Sequence, residues 1–271
     1  AWAVGGGHQR DVGGMTPGSC PTNATEIHQE GLRLPPMKLY NQGKPNKTLF
    51  TILKAASRTP EIVLADISAY VGACTVAENR FLELVKEHGA STLDRYLAEL
   101  LDYTERLARA EITAMPDGKY YFEDKLDDDG VNLKNEVTIR LTITVDGDEL
   151  VYDFDGTDPQ VASSMNNPLG STRSAVVTAV RSMMGGDVPR NGGAWRPVTL
   201  NVPDGSLLNP QFPAPVASRG GTAQRLSDVL LGCQCQIRPE RMLACSSGVD
   251  TLLNIAGTDA NGDRFILTEC C

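Results

Sequence analysis

The chain has 271 residues, 41% of them hydrophobic and 22% charged, a balance that supports a packed core and excludes bulk disorder. With 34 acidic against 25 basic residues its formal net charge is −9, which argues against a nucleic-acid or anionic-membrane surface, since each needs a basic patch. No run approaches about eighteen uninterrupted apolar residues, so no membrane span is predicted, and the opening residues have neither the basic nor the long apolar region of a signal peptide.

The expectation is therefore a cytoplasmic protein whose cysteines stay reduced and mostly buried. There are seven cysteines but no C-x-x-C, so a zinc ribbon or thioredoxin-like site has no support.

The first forty or so residues (roughly the stretch before any periodicity starts) are rich in Gly and Pro: GGGHQRDVGGMTPGS, then EGLRLPP. Long irregular segments of this kind are usually functional or disordered, and glycine lets backbone approach a ligand closely. Thr59 is placed to cap a helix that starts at Pro60 and stops at Gly89. Ser91, with Asp94 after it, is expected to cap a second helix with Leu93, Leu97, Leu100, Leu101 and Leu107 as its apolar stripe. The short connection predicts an antiparallel helical hairpin.

After Pro116-Asp117-Gly118 the period falls to two. Val137, Ile139, Leu141, Ile143 and Val145 alternate with polar residues, Asp146-Gly147 opens a turn, and Leu150, Tyr152 and Phe154 alternate on the return strand. Helices are expected from Ser171 to about Met184 and from Thr222 to about Cys233. A short strand is expected at Val198-Thr199-Leu200, and a terminal hairpin from Thr251 to Leu267 around Asn261-Gly262. Helical pairs followed by hairpins, without βαβ alternation, give an α+β class. The division expected is 1–58 as a glycine-rich loop region, 59–115 as the helical hairpin, and 116–271 as an α+β region. AWAV reads as a strand already under way and the end as a strand cut short, so the chain reads as part of a larger protein.

The blocks GGGHQRDVGGMTPGS, EIHQEGLRLPP, SRTPEIVLADISAYVGA, PDGKYYFEDKLDDDG, LVYDFDGTDPQVASSMNNP, VPRNGGAWRPVTLNVPDGSLLNP and FPAPVASR keep an order and spacing that resemble the hydantoinase B/oxoprolinase family. The resemblance implies an ATP-dependent enzyme that opens cyclic amides such as hydantoin, N-methylhydantoin or 5-oxoproline. Alternatives are the large subunit of an acetone- or acetophenone-type carboxylase, or a non-catalytic scaffold fragment. It also implies a hydantoinase A-type partner, subunit or domain, that binds ATP and phosphorylates the substrate carbonyl. Consistent with that, the chain has no G-x-x-x-x-G-K-[ST] and no G-x-G-x-x-G.

Site residues follow from the resemblance and from chemistry. A divalent metal (Mn, Zn or Mg) lowers the pKa of a bound water, and His8 is the expected ligand. Asp11 is expected to bind that metal or orient an imidazole. Glu30, with Glu26 beside it, is expected as general base or as a carboxylate that orients a metal ligand, the alternative being an ion pair with Arg33 or Arg58. Arg58, just before a helix start, is expected to bind the phosphorylated intermediate. Asp155, Asn166 and Arg190 are expected to line the substrate pocket; Arg190-Asn191-Gly192-Gly193 and Arg219-Gly220-Gly221 read as polar glycine loops whose Arg forks suit a carboxylate or phosphate, the alternative being an Arg that ties a loop to a carboxylate. Asp127-Asp128-Asp129-Gly130 lacks the full calcium-loop pattern and reads as an exposed turn. His28 reads as packing or surface, and His88 as a helix-end residue.

Overall fold

Alternation over 137–145 resolves as the central strand of a four-stranded sheet in the computed structural model, which describes residues 4–9, 11–242, 244 and 252–270. In chain order the elements are β1 (Tyr40–Asn41), β2 (Lys44–Pro45), α1 (Lys47–Ala56), α2 (Pro60–His88) and α3 (Ala90–Thr113). There follow β3 (Gly118–Leu126), β4 (Val137–Asp146), β5 (Glu149–Asp153), α4 (Leu169–Met183), β6 (Val198–Asn201), α5 (Arg219–Gln234), β7 (Leu252–Thr258) and β8 (Arg264–Cys270).

The sheet runs β3-β4-β5-β6. β4 pairs antiparallel with β3 and β5, and β6 joins β5 in parallel. The connection from β5 to that parallel strand contains α4, the one crossover among the described strands of this sheet. The α+β class holds. Ile139, Leu141 and Ile143 of β4 are fully buried, as are Leu150 and Tyr152 of β5. Val176, Val180 and Met183 of α4 and Leu226, Val229 and Leu230 of α5 join them in one core, with Ala108 and Ile112 of α3. Each such side chain contributes ~1.5–3 kcal/mol by leaving water.

Pro60 and Gly89 bound α2 as the sequence predicts, Gly89 N–H donating to the Val85 carbonyl at 2.9 Å. The caps differ from expectation. Thr59 occupies the capping position of α2, but its hydroxyl makes no capping bond. α3 starts at Ala90, ahead of Ser91, because Gly89 at φ 80° closes one helix and opens the next. α1 lies inside the 1–58 region expected as a glycine-rich loop. Asn46 caps it, its side chain accepting from Leu49 N–H at 3.2 Å.

By length and composition α2 is one helix able to cross a membrane, where none was expected. Those are weak grounds, since the criterion is an average that Glu61 and Asp66 do not defeat. Beyond their first and last turns, α2 and α3 expose Val76, Leu82, Tyr96, Leu97 and Leu100.

β7 and β8 form the expected terminal hairpin, which lies against the turn at Pro17–Ser19. The strand expected at the very start, the first residue of the strand expected at Thr251, and Cys245 and Cys271 lie outside the described residues.

Candidate functional site

The opening loop is built around one carboxylate. Asp11 is fully buried. Its Oδ1 accepts from Gly13 N–H at 3.1 Å and from Arg58 N–H at 3.0 Å. Its Oδ2 accepts from Gly18 N–H at 3.0 Å and from the Arg58 guanidinium at 3.1 Å. A carboxylate offers about four lone-pair sites, so this one is saturated. Burial pushes Asp11 upward, but the N–H groups of Arg58, Gly18 and Gly13 together with the Arg58 guanidinium outweigh it and hold its carboxyl below the ordinary range. Against the expected catalytic role, Asp11 has no face left for a metal or a proton in transit; it is the brace of the loop.

Arg58 is committed to the same loop through both Nη atoms. Besides Asp11, its Nη1 donates to the carbonyls of Gly13 at 3.3 Å and Thr16 at 3.1 Å, and its Nη2 to Gly14 at 2.6 Å. The guanidinium that was expected to meet a phosphate instead staples the Gly-Gly turn. That turn needs glycine: Gly13 and Gly14 have φ of 93° and 84°, and a Cβ on Gly14 would lie 2.7 Å from the Gln29 carbonyl oxygen.

The neighbouring segment crosses this loop. Met15 N–H donates to Gln29 O at 2.8 Å, and Leu32 N–H to Val12 O at 2.9 Å. Glu30 sits between these contacts and reaches across to the segment before α5. Its Oε1 accepts from Val216 N–H and Ala217 N–H, each at 2.8 Å. The expected ion pair with Arg58 is not formed, because Arg58 is held by Asp11. Among the described residues Glu30 Oε2 has no hydrogen-bond partner.

Asn166 belongs to the same cluster as a brace. Fully buried, it accepts from Val161 N–H at 2.8 Å and donates to the carbonyls of Val161, Ser163 and Pro215 at 2.9–3.0 Å. With its NH₂ taken by three carbonyls and the side chain fully buried, it ties segments together instead of facing a pocket. Ser164 Oγ donates to Pro21 O at 2.6 Å and Ser164 O accepts from Ser218 N–H at 2.9 Å, fixing the approach to α5.

His8 stands at the rim, exposed. Tyr70 of α2 donates to its carbonyl at 3.1 Å, passing so close to Gly7 that a Cβ there would overlap the phenol oxygen. The His8 ring meets Arg219, the first residue of α5: Nε2 and the guanidinium Nη2 are 3.2 Å apart. A guanidinium only donates, so Nε2 accepts and the ring proton sits on Nδ1. Arg219 belongs to the Arg219-Gly220-Gly221 loop whose fork suits a carboxylate or phosphate, but its contact with His8 is not announced by the sequence.

Asp155 and Arg190 are not joined to this cluster by any described contact. Asp155 is exposed in the turn after β5, its N–H donating to Asp153 Oδ1 at 3.1 Å. Arg190 is exposed beside Asn191, whose side chain donates to Thr104 of α3 at 2.8 Å. His28 packs edge-on against Phe212, centroids 5.5 Å apart. Asp129 serves its own turn, accepting from Val131 and Asn132 N–H.

The metal reading meets a shortfall of ligands. Among the described residues no group of three or more His, Cys, Asp or Glu side chains gathers to hold an ion. His8 offers one imidazole with a cation at its Nε2, and Asp11 is saturated. These residues do not by themselves make a metal centre.

Comparison with known proteins fits this loop-built site into a family. The hydantoinase B/oxoprolinase family model matches residues 1–271. The chain is 33% identical over 269 residues to the B-type chain of a putative D-/L-hydantoinase of Pseudomonas sp. (strain NS671), covering 95% of this chain and 45% of that protein. It superposes with a TM-score of 0.87 on the crystal structure of the ATP-dependent caprolactamase from Pseudomonas jessenii, at 31% identity, covering 96% of this chain and 45% of that one. An acetone carboxylase in its nucleotide-free form superposes with a TM-score of 0.84 over 97% of this chain and 37% of that one; at 16% identity it shows the fold alone. The chain thus spans less than half the length of each of these proteins. Matched along its whole length and similar in sequence as well as fold to a caprolactamase, the chain belongs to the hydantoinase B/oxoprolinase family.

Proposed function

We propose that this chain is the ring-opening part of an ATP-dependent cyclic amide hydrolase acting on a hydantoin, a lactam or 5-oxoproline. A hydantoinase A-type partner, subunit or domain, supplies ATP and phosphorylates the amide oxygen. The reading is carried by one observation: segments far apart in sequence bring His8, Glu30 and Arg219 onto a single rigid loop cluster, in a chain 33% identical to the B-type chain of a hydantoinase.

An unactivated amide resists water because its carbon is electron-rich and its nitrogen leaves poorly. Phosphorylating the oxygen removes the first obstacle. Water then adds to the carbon, the ring C–N bond breaks with the electron pair leaving on nitrogen, and a second water cleaves the resulting acyl phosphate. The sum is cyclic amide, ATP and two waters giving the ring-opened amino acid, ADP and phosphate. Glu30 is suited to take the water's proton: Oε1 is pinned by two N–H groups and Oε2 is open. With Nε2 accepting from Arg219, the His8 ring presents Nδ1–H as a donor. A divalent ion (Mn, Zn or Mg) enters this reading only with ligands beyond the described residues.

Carboxylation of a ketone is the rival chemistry, but its support is a likeness in fold at 16% identity. The test is ADP release by the full protein with its ATP-binding partner in bicarbonate-free buffer. Turnover dependent on hydantoin, 5-oxoproline or caprolactam is expected. Turnover that needs a ketone and bicarbonate overturns the reading, and no turnover with any of them leaves the scaffold reading standing.

A further inference from the structure

We propose that Arg219 is the group that grips the phosphate of the activated substrate, an inference that rests on the proposed function. Arg58, the expected holder, has both Nη atoms turned onto Asp11 and three carbonyls of the opening loop. Arg109, Arg140, Arg196, Arg225 and Arg238 each lie within ion-pair distance of a carboxylate. Arg181, Arg190 and Arg219 are among the described arginines with no such partner, and of these Arg219 is the one that meets His8. Its described side-chain contact is the ring nitrogen His8 Nε2, at 3.2 Å, and among the described residues it has no carboxylate partner.

A guanidinium carries five N–H donors in a planar fork, and the His8 contact uses one. The remainder matches two oxygens of a phosphate monoester, whose negative charge supplies the missing counter-charge. Arg219 also opens α5, so the positive end of that helix adds to its own charge. The residue after next leaves room, since a Cβ on Gly221 would meet nothing within 4 Å. Glu30 grips the same segment through the N–H groups of Val216 and Ala217. Base and phosphate holder are thereby fixed to one strip of backbone, and His8 lies beside the holder.

The test compares Arg219→Gln and Arg219→Lys with wild type in the full protein assembled with its ATP-binding partner, folding being checked by thermal melting. The first readout is ADP released per ring opened. Losing the grip lets the phosphorylated substrate escape and decay, so the ratio rises in Arg219→Gln and is partly restored in Arg219→Lys. The second is product inhibition by inorganic phosphate, expected to weaken about tenfold in Arg219→Gln. A variant in which ADP release and ring opening fall in step, with phosphate inhibition unchanged, overturns the proposal. If wild type shows no amide-dependent ADP release, the functional reading fails. Calorimetric titration with inorganic phosphate then decides the Arg219 site alone: binding lost in Arg219→Gln supports it, and absence of binding in wild type overturns it.

Discussion

Arg58 meets Asp11 twice across a separation of 47 residues, its backbone N–H on Oδ1 at 3.0 Å and its guanidinium on Oδ2 at 3.1 Å. The contact locks the opening glycine loop to the start of α2. The carboxylate is fully buried while the Arg58 side chain is 32% exposed, so solvent screens part of the ion pair. Most of the cost of breaking it comes from stranding the buried N–H groups. Asp11→Ala is therefore expected to lower stability by ~3–5 kcal/mol. Arg58→Lys, which keeps the charge and loses the fork, should lose less. Urea denaturation of each variant measures both; an Asp11→Ala midpoint equal to wild type contradicts the bracing role.

The same carboxylate sets a pH dependence. Its folded-state pKa lies below the ordinary aspartate value of 3.8. The stabilisation is therefore complete above that value and lost as pH falls through the lower folded value. Melting temperature followed downward from neutral pH should drop more steeply below about pH 4 in wild type than in Asp11→Asn. Parallel curves would show that the Asp11 carboxylate does not brace the loop.

Glu30 permits a separation of roles. Glu30→Gln keeps an oxygen to accept from Val216 and Ala217 N–H but removes the base. Ring opening is expected to fall about 10²–10⁴-fold with stability changed by less than ~1 kcal/mol. Glu30→Ala should lose stability as well. Full activity in Glu30→Gln excludes it as the base.

Gly14 carries the close crossing of the two loop segments, at φ 84° and with a Cβ position 2.7 Å from Gln29 O. Gly14→Ala should cost more than ~1 kcal/mol, since strain and steric overlap add. Equilibrium unfolding measures it, and a neutral result means the two segments do not meet as described.

The elements most legible in the sequence are those whose burial follows one regular period. β4 and β5 alternate cleanly, and Pro60 and Gly89 mark α2. β3 escapes such a reading because its half-buried row, Tyr120, Phe122 and Asp124, includes a carboxylate; Asp124 sits there because Arg225 of α5 pairs with it at 2.6 Å. α1 is hidden by its Gly- and Pro-rich surroundings, although Leu49, Leu53 and Ala56 follow helical spacing. Motif chemistry finds the loop cluster through Asp11, Glu30 and Arg58, yet the roles of Asp11 and Arg58 depend on which lone pairs and donors are already taken. Arg219 lies 211 residues from His8, and no local pattern announces a contact closed by the whole fold.

If the cluster around His8 opens the ring of an ATP-activated amide, its imidazole must matter to that step. The most direct measurement is 5-oxoproline- or hydantoin-dependent ring opening by the full protein with its ATP-binding partner, wild type against His8→Asn. A loss of at least ~10²-fold in the variant, at an unchanged melting temperature, is the predicted result. Equal rates in the two proteins would contradict it.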